Sequence, residues 1–193
     1  MNFKKNILAV AASASFVAMI STSAFANDLE QKPDTGEVRF VGTITDSPCS
    51  ISPDSADQTV DMGMVSKAVI EEGNTQIIPF TIELLGCTAN EEGEPGKEVL
   101  KDTVSVTFRG IEADGNASIL AFSATESTAS GAGITLVDGQ TNNAIKLGEA
   151  TDGTKIFSGN NTLKFGAQVV ALDAGDVVPG EFTALANFEL SYL

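Results

Sequence analysis

The final twelve residues of this 193-residue chain alternate between apolar and polar side chains and then stop. Phe182, Ala184, Ala186, Phe188, Leu190 and Tyr192 share one parity, while Thr183, Asn187, Glu189 and Ser191 share the other, with Leu185 the exception. Period two is the spacing of a half-buried β-strand, because successive side chains leave opposite faces of the backbone. Such a strand needs a neighbour along each edge. Without one it presents a row of unpaired N–H and C=O groups that template pairing with another chain. The expectation is that something covers this strand.

The same period recurs upstream. Val38, Phe40, Gly42 and Ile44 alternate with Arg39, Val41, Thr43 and Thr45; Ile78, Phe80, Ile82 and Leu84 alternate with Pro79, Thr81 and Glu83. Val104, Val106 and Phe108 make a further run, followed by Ile134 with Leu136, by Ile145 with Leu147, and by Leu163, Phe165, Ala167, Val169 and Ala171. Turn formers punctuate them: Asp114-Gly115-Asn116, Asp138-Gly139, Asp152-Gly153 and Ser158-Gly159-Asn160-Asn161. Short strands separated in this way predict an all-β chain folded as an antiparallel sandwich. No helix of three turns is expected, and Ser66–Gly73 has room for one short helical turn.

The first 26 residues read as a cleavable secretory leader. Lys4 and Lys5 form a positive start, Ile7 to Ile20 is apolar apart from Ser13 and Ser15, and Ala24-Phe25-Ala26 offers the small-x-small site before Asn27. The apolar run is too short for a bilayer, which needs roughly 20 residues. Export places Cys49 and Cys87 in an oxidising compartment, where a lone pair is expected to form a disulfide. Closing that loop is worth roughly 4 kcal/mol in the chain-entropy model. A reactive thiol is the weaker reading, since no histidine or basic cluster stands by to depress a thiol pKa.

Composition removes most alternatives. Eleven Lys plus Arg against 26 Asp plus Glu give a formal charge of −15, which removal of Lys4 and Lys5 deepens to −17. That balance opposes nucleic-acid binding, which draws on clustered cations. There is no histidine, and with it go His-dependent triads and His-ligated metals. Two cysteines cannot hold a four-cysteine zinc site or an iron–sulfur cluster. No cofactor, metal or small-molecule substrate is expected.

The motifs favour plain readings. Gly131-Ala132-Gly133 has no third glycine and reads as a turn rather than a phosphate loop. The acidic run Glu91, Glu92, Glu94 and Glu98 lacks calcium-loop spacing and reads as a solvated hairpin loop. Asp57 and Asp61 are spaced for no obvious cleft chemistry. Asn116-Ala117-Ser118 and Asn160-Asn161-Thr162 match glycosylation sequons, taken here to matter only in a eukaryotic secretory route. No nucleophile motif of the Gly-x-Ser-x-Gly or Ser-x-x-Lys kind occurs.

Four segments together resemble the pilin subunits of chaperone–usher fimbriae of Gram-negative bacteria. Phe40-Val41-Gly42-Thr43-Ile44-Thr45-Asp46-Ser47-Pro48-Cys49-Ser50-Ile51 resembles that family's first strand and first cysteine, and Phe80-Thr81-Ile82-Glu83-Leu84-Leu85-Gly86-Cys87 the strand bearing its second. Gly131 to Asp138 with Ile145 to Gly148 resembles its central hairpin. The fourth is a C-terminal signature, a glycine fourteen places from the end (Gly180) with a penultimate tyrosine (Tyr192). The segment Gly36 to Gly63 resembles major rod subunits of the P-pilus and type 1 kind.

The resemblance implies an immunoglobulin-like antiparallel β-sandwich lacking its final strand and completed in trans by a donor strand. It implies three parts: leader 1–26, N-terminal donor extension 27–37 and pilin domain 38–193. Leu29, Thr35, Gly36 and Val38 would be donor contacts. Gly180 and the alternating residues Phe182 to Tyr192 would form the groove edge read first by a periplasmic chaperone, with an outer-membrane usher receiving the subunit. Identical subunits would then join head to tail into an extracellular adhesive rod with no enzymatic activity. The rivals are a minor adaptor subunit, a tip adhesin with a receptor-binding domain, and a small secreted hydrolase with paired carboxylates in a cleft.

Overall fold

A computed structural model describes residues 35–88, 102–172 and 176–193. The leader with Ala24, Ala26 and Asn27, the donor contact Leu29 and the acidic run at 91–98 lie outside the described residues. Thr35–Thr43 belongs to one compact unit and Ile44–Leu193 to a second, which holds the fold.

In chain order that unit contains β1 (Ser50–Ile51), α1 (Pro53–Ala56), α2 (Lys67–Glu71), β2 (Ile78–Cys87), β3 (Thr103–Arg109), β4 (Glu112–Ala113), β5 (Asn116–Ala121), β6 (Ala132–Asp138), β7 (Thr154–Lys155), β8 (Gly159–Ala171) and β9 (Asn187–Tyr192). They build a six-stranded sheet, β1-β2-β8-β6-β5-β4, and a three-stranded sheet, β7-β3-β9, with every pairing antiparallel. The fold is therefore all-β, as the period-two runs imply.

The long strands carry the register. β8 pairs with β2, Phe80 opposite Phe165 and Ile82 opposite Leu163, and along its other edge with β6, Ile134 opposite Val169. The inward parity of β2 and β8 meets that of β3: Ile82, Leu84, Val104, Val106, Ile156 and Val169 are almost wholly buried. Each such side chain contributes about 1.5–3 kcal/mol by leaving water. Cys49 and Cys87 are joined by a disulfide, both buried, which ties the start of β1 to the end of β2. α1 begins with Pro53 at its first turn, where a missing N–H costs nothing. Its buried Ser55 accepts the Glu83 N–H at 3.0 Å, fastening the helix to β2.

Three sequence expectations need correction. The run Val38 to Thr45 forms no strand, and Val38, Phe40, Val41 and Ile44 are exposed. Alternation specifies a face, but a ladder requires a partner, and none pairs with this run among the described residues. The pair Ile145 and Leu147 is buried yet irregular: their N–H groups donate to Leu136 and Ala117 carbonyls, bridging β6 and β5 rather than extending either. The terminal strand starts at Asn187, not Phe182. Conversely, the Ser66–Gly73 stretch does hold a short helix, α2.

Candidate functional site

β9 uses only one edge. Along it, Val104 pairs with Tyr192, Val106 with Leu190 and Phe108 with Phe188. Its other edge meets no strand among the described residues. Just upstream the chain changes partners. Thr128 and Ala129 N–H groups donate to the Glu181 carbonyl at 2.8 and 3.0 Å, and Ser123 N–H donates to the Thr183 carbonyl at 2.7 Å. The Thr183 N–H donates to Ser127 Oγ at 2.9 Å. This anchoring to the 123–129 loop explains why regular pairing with β3 begins only at Asn187, while the alternation of burial runs unbroken from Phe182 to Tyr192.

Beside the unpaired edge lies an apolar groove of ≈ 1340 Å³. Its floor is formed by Phe80, Phe108, Leu120, Ile134, Leu136 and Val169, side chains of both sheets. Phe182, Ala184, Ala186 and Phe188 form one wall, all half-buried. The alanines leave a shallow stretch between two rings. At one end Phe122 stacks on Phe182, centroids 4.6 Å apart and planes at 15°.

The opposite wall is the segment 57–65, whose apolar residues follow no unbroken period-two pattern in the sequence. Val60, Met62 and Val65 turn inward while Asp61 and Met64 stay exposed. Among the described residues, no backbone hydrogen bond joins 59–65 to a strand. Gly63 takes φ +63, where the Asp61 carboxylate accepts its N–H at 2.8 Å, and this left-handed kink interrupts the alternation that would have flagged the segment. The groove thus has two backbone edges without ladder partners above an apolar floor, the geometry of a sandwich missing one strand.

The other sequence candidates fall in distinct places. Gly180 lines the groove end, and a Cβ there would lie 2.5 Å from Ala129 N and from Thr128 Oγ1, so close packing against the 128–129 loop excludes any side chain. Leu190 and Tyr192 are half-buried against the core but outside the groove lining. Burial pushes the Tyr192 phenol above its ordinary pKa, and a hydrogen bond with the Ser47 side chain partly offsets this. Thr35, Gly36 and Val38 are exposed, and among the described residues nothing stands within 4 Å of where a Gly36 Cβ would be. Asp57 and Asp61 lie along the rim of the groove rather than facing each other across a reaction site.

A groove open along one strand edge has the geometry that accepts an added strand by β-augmentation. Residues 38–193 match the model of the fimbrial protein family, and the chain belongs to that family. It is 40% identical to the fimbria A protein of Serratia marcescens over 91% of this chain and 94% of that one. It is 37% identical to the major MR/P fimbria protein of Proteus mirabilis, covering 81% and 83% respectively. Among solved structures it resembles a chaperone–usher pilus, with TM-score 0.69, 33% identity and 84% and 98% coverage. The P pilus rod subunit PapA follows with TM-score 0.62, 29% identity and 76% and 100% coverage. The chain is a structural subunit of the major-pilin kind, in an immunoglobulin-like fold, and its family is a structural rather than an enzymatic one.

Proposed function

We propose that this subunit polymerises by donor-strand exchange into an adhesive surface rod. After loss of the leader 1–26, the extension 27–37 enters the groove of the next identical subunit, lying between its 57–65 wall and its β9 edge. Thr35, Gly36 and Val38 are the donor contacts within the described residues, and Leu29 a contact outside them. The pilin domain 38–193 receives the preceding copy in turn, so the contact is heterologous and does not close. Before that, a periplasmic chaperone fills the same groove and hands the subunit to an outer-membrane usher. The chain carries no catalytic role.

The observation that supports this is the unpaired β9 edge above the apolar groove. Exposure of both to water is costly, and backbone pairing with a donor relieves it. The test is thermal unfolding of the chain lacking 27–37, with and without a peptide of residues 27–40. A ligand at 100 times its Kd stabilises by about 2.7 kcal/mol through mass action. A large rise in Tm is expected. A domain that is stable alone and indifferent to the peptide would refute the reading.

A further inference from the structure

We propose that Asn116 is an acceptor site for bacterial N-glycosylation, taking an oligosaccharide from a lipid-pyrophosphate donor. The residues are Asp114-Gly115-Asn116-Ala117-Ser118. Asn-x-Ser is the general acceptor triplet. One class of bacterial oligosaccharyltransferase reads, in addition, an acidic residue two places before the asparagine, which Asp114 supplies. The sequon therefore has meaning outside a eukaryotic secretory route.

The structure presents this site openly. Asp114 (φ 52) and Gly115 (φ 72) form the two-residue turn between β4 and β5, both with the positive φ that Asp-Gly supports. Asp114, Gly115 and Asn116 are exposed. The Ser118 N–H donates to Asn116 Oδ1 at 3.0 Å, bending the triplet back on itself, and Nδ2 meets no partner among the described residues. A backbone bond ties the sequon to the fold, the Leu147 N–H donating to the Ala117 carbonyl at 2.7 Å, and Ala113 beside the turn is buried. β4 has two residues, is the outermost strand of its sheet, and changes register between Glu112 and Ala113. Local opening of this two-residue edge ladder and of the Ala117–Leu147 bond is the motion a transferase needs to draw the half-buried Ala117 and Ser118 into its cleft.

The second sequon lacks these properties. Asn160 lies in the thirteen-residue strand β8, its Oδ1 accepts the Gly86 N–H at 3.1 Å, and Ser158 stands where an acid is required. The β4–β5 hairpin also lies at the opposite sheet edge from β1, and residues 112–117 do not line the groove. A glycan at Asn116 would leave that groove clear.

In the reaction, Asn116 Nδ2 attacks the anomeric carbon of the donor sugar. The C–N bond forms, the C–O bond to pyrophosphate breaks, the lipid pyrophosphate departs with the electron pair, and one amide proton passes to the enzyme's base and then to solvent.

The test incubates the disulfide-bonded chain with a purified bacterial oligosaccharyltransferase, its divalent metal and a lipid-pyrophosphate-linked oligosaccharide. A control acceptor peptide reports that the enzyme is active. The intact mass should rise by one oligosaccharide, mapped to Asn116. N116Q and S118A should abolish the gain. D114N should also abolish it while keeping the turn, because asparagine tolerates positive φ, and N160Q should leave it unchanged. No added mass beside a glycosylated control, or a gain that survives N116Q, would overturn the proposal.

Discussion

Phe108 of the small sheet meets Phe165 of the large one edge to face, with ring centroids 5.1 Å apart and planes at 84°. Phe80 joins both, 6.2 Å from Phe108 and 5.7 Å from Phe165, and Phe188 of β9 lies 6.4 Å from Phe108. Three of these rings, Phe80, Phe108 and Phe188, also line the groove. The floor of the groove is thus the outer surface of the core itself, and an occupant would complete the core as well as the sheet.

Phe165 is the buried ring of the four that does not line the groove. Truncation to alanine is expected to cost about 3–5 kcal/mol, the range for a buried phenylalanine. Because Phe165 supports Phe80 and Phe108, the same variant should also take up the 27–40 peptide less well. Urea unfolding of the peptide-filled protein reads the first effect, and peptide titration the second.

Much of this was legible in the sequence, for identifiable reasons. β2, β3, β8 and β9 announce themselves by period two in apolar side chains, even though β3 is buried on both faces, Ser105 and Thr107 included, and β9 is only half-buried on its inward parity. The disulfide was legible because export leaves two cysteines few other fates. The 57–65 wall was not, since Gly63 breaks its alternation after Met62 and its burial depends on residues from both sheets. The Val38 to Thr45 run misled in the other direction. Its pattern is that of a strand, but pattern alone provides no partner. Gly180 was found by its place near the chain end, whereas its physical reason, the approach of the 128–129 loop, exists only in three dimensions.

Asp138 gives the fold a defined pH response. Partial burial raises its pKa, but the Thr141 and Gln140 N–H groups, at 2.8 and 3.0 Å, and the Thr141 hydroxyl, at 3.0 Å, outweigh this and hold it below the ordinary value. The unfolded chain then binds more protons than the folded one, so this contribution is present above about pH 4 and fades as pH falls through the lower folded value. Asp102 shifts the same way through Thr103 and Lys155. D138N should be less stable at neutral pH and lose less stability between about pH 4 and pH 2 than the unaltered chain. Equal slopes in denaturant titrations across that range would count against the assignment.

Two glycines should fail in opposite ways. A side chain at Gly180 collides with backbone atoms of Thr128 and Ala129, so G180V should weaken the domain itself, by an overpacking cost of about 1–3 kcal/mol. A side chain at Gly36 meets nothing within 4 Å among the described residues. G36V should therefore leave the domain's unfolding unchanged and weaken only the 27–40 peptide as a ligand. Comparing Tm of each full chain with peptide affinity separates the two, and a G36V chain that unfolds earlier without its partner would contradict the donor role.

Ala186 offers the sharpest test of the groove. It lies two positions from Phe188 and two from Ala184 on the inward parity, half-buried over the apolar floor. Enlarging it to leucine places new methyl groups into volume that is otherwise open. Burial of that surface contributes about 25 cal/mol per Å², so A186L should stabilise the chain lacking 27–37. The same methyl groups occupy space a donor side chain would need, so the peptide should raise Tm less in A186L than in the unaltered domain. A leucine at exposed Glu189, on the opposite parity and outside the groove lining, should do neither. Opposite signs for intrinsic stability and peptide response at Ala186, with no change in either at Glu189, would place the donor in this groove. Matching behaviour at the two positions would place it elsewhere.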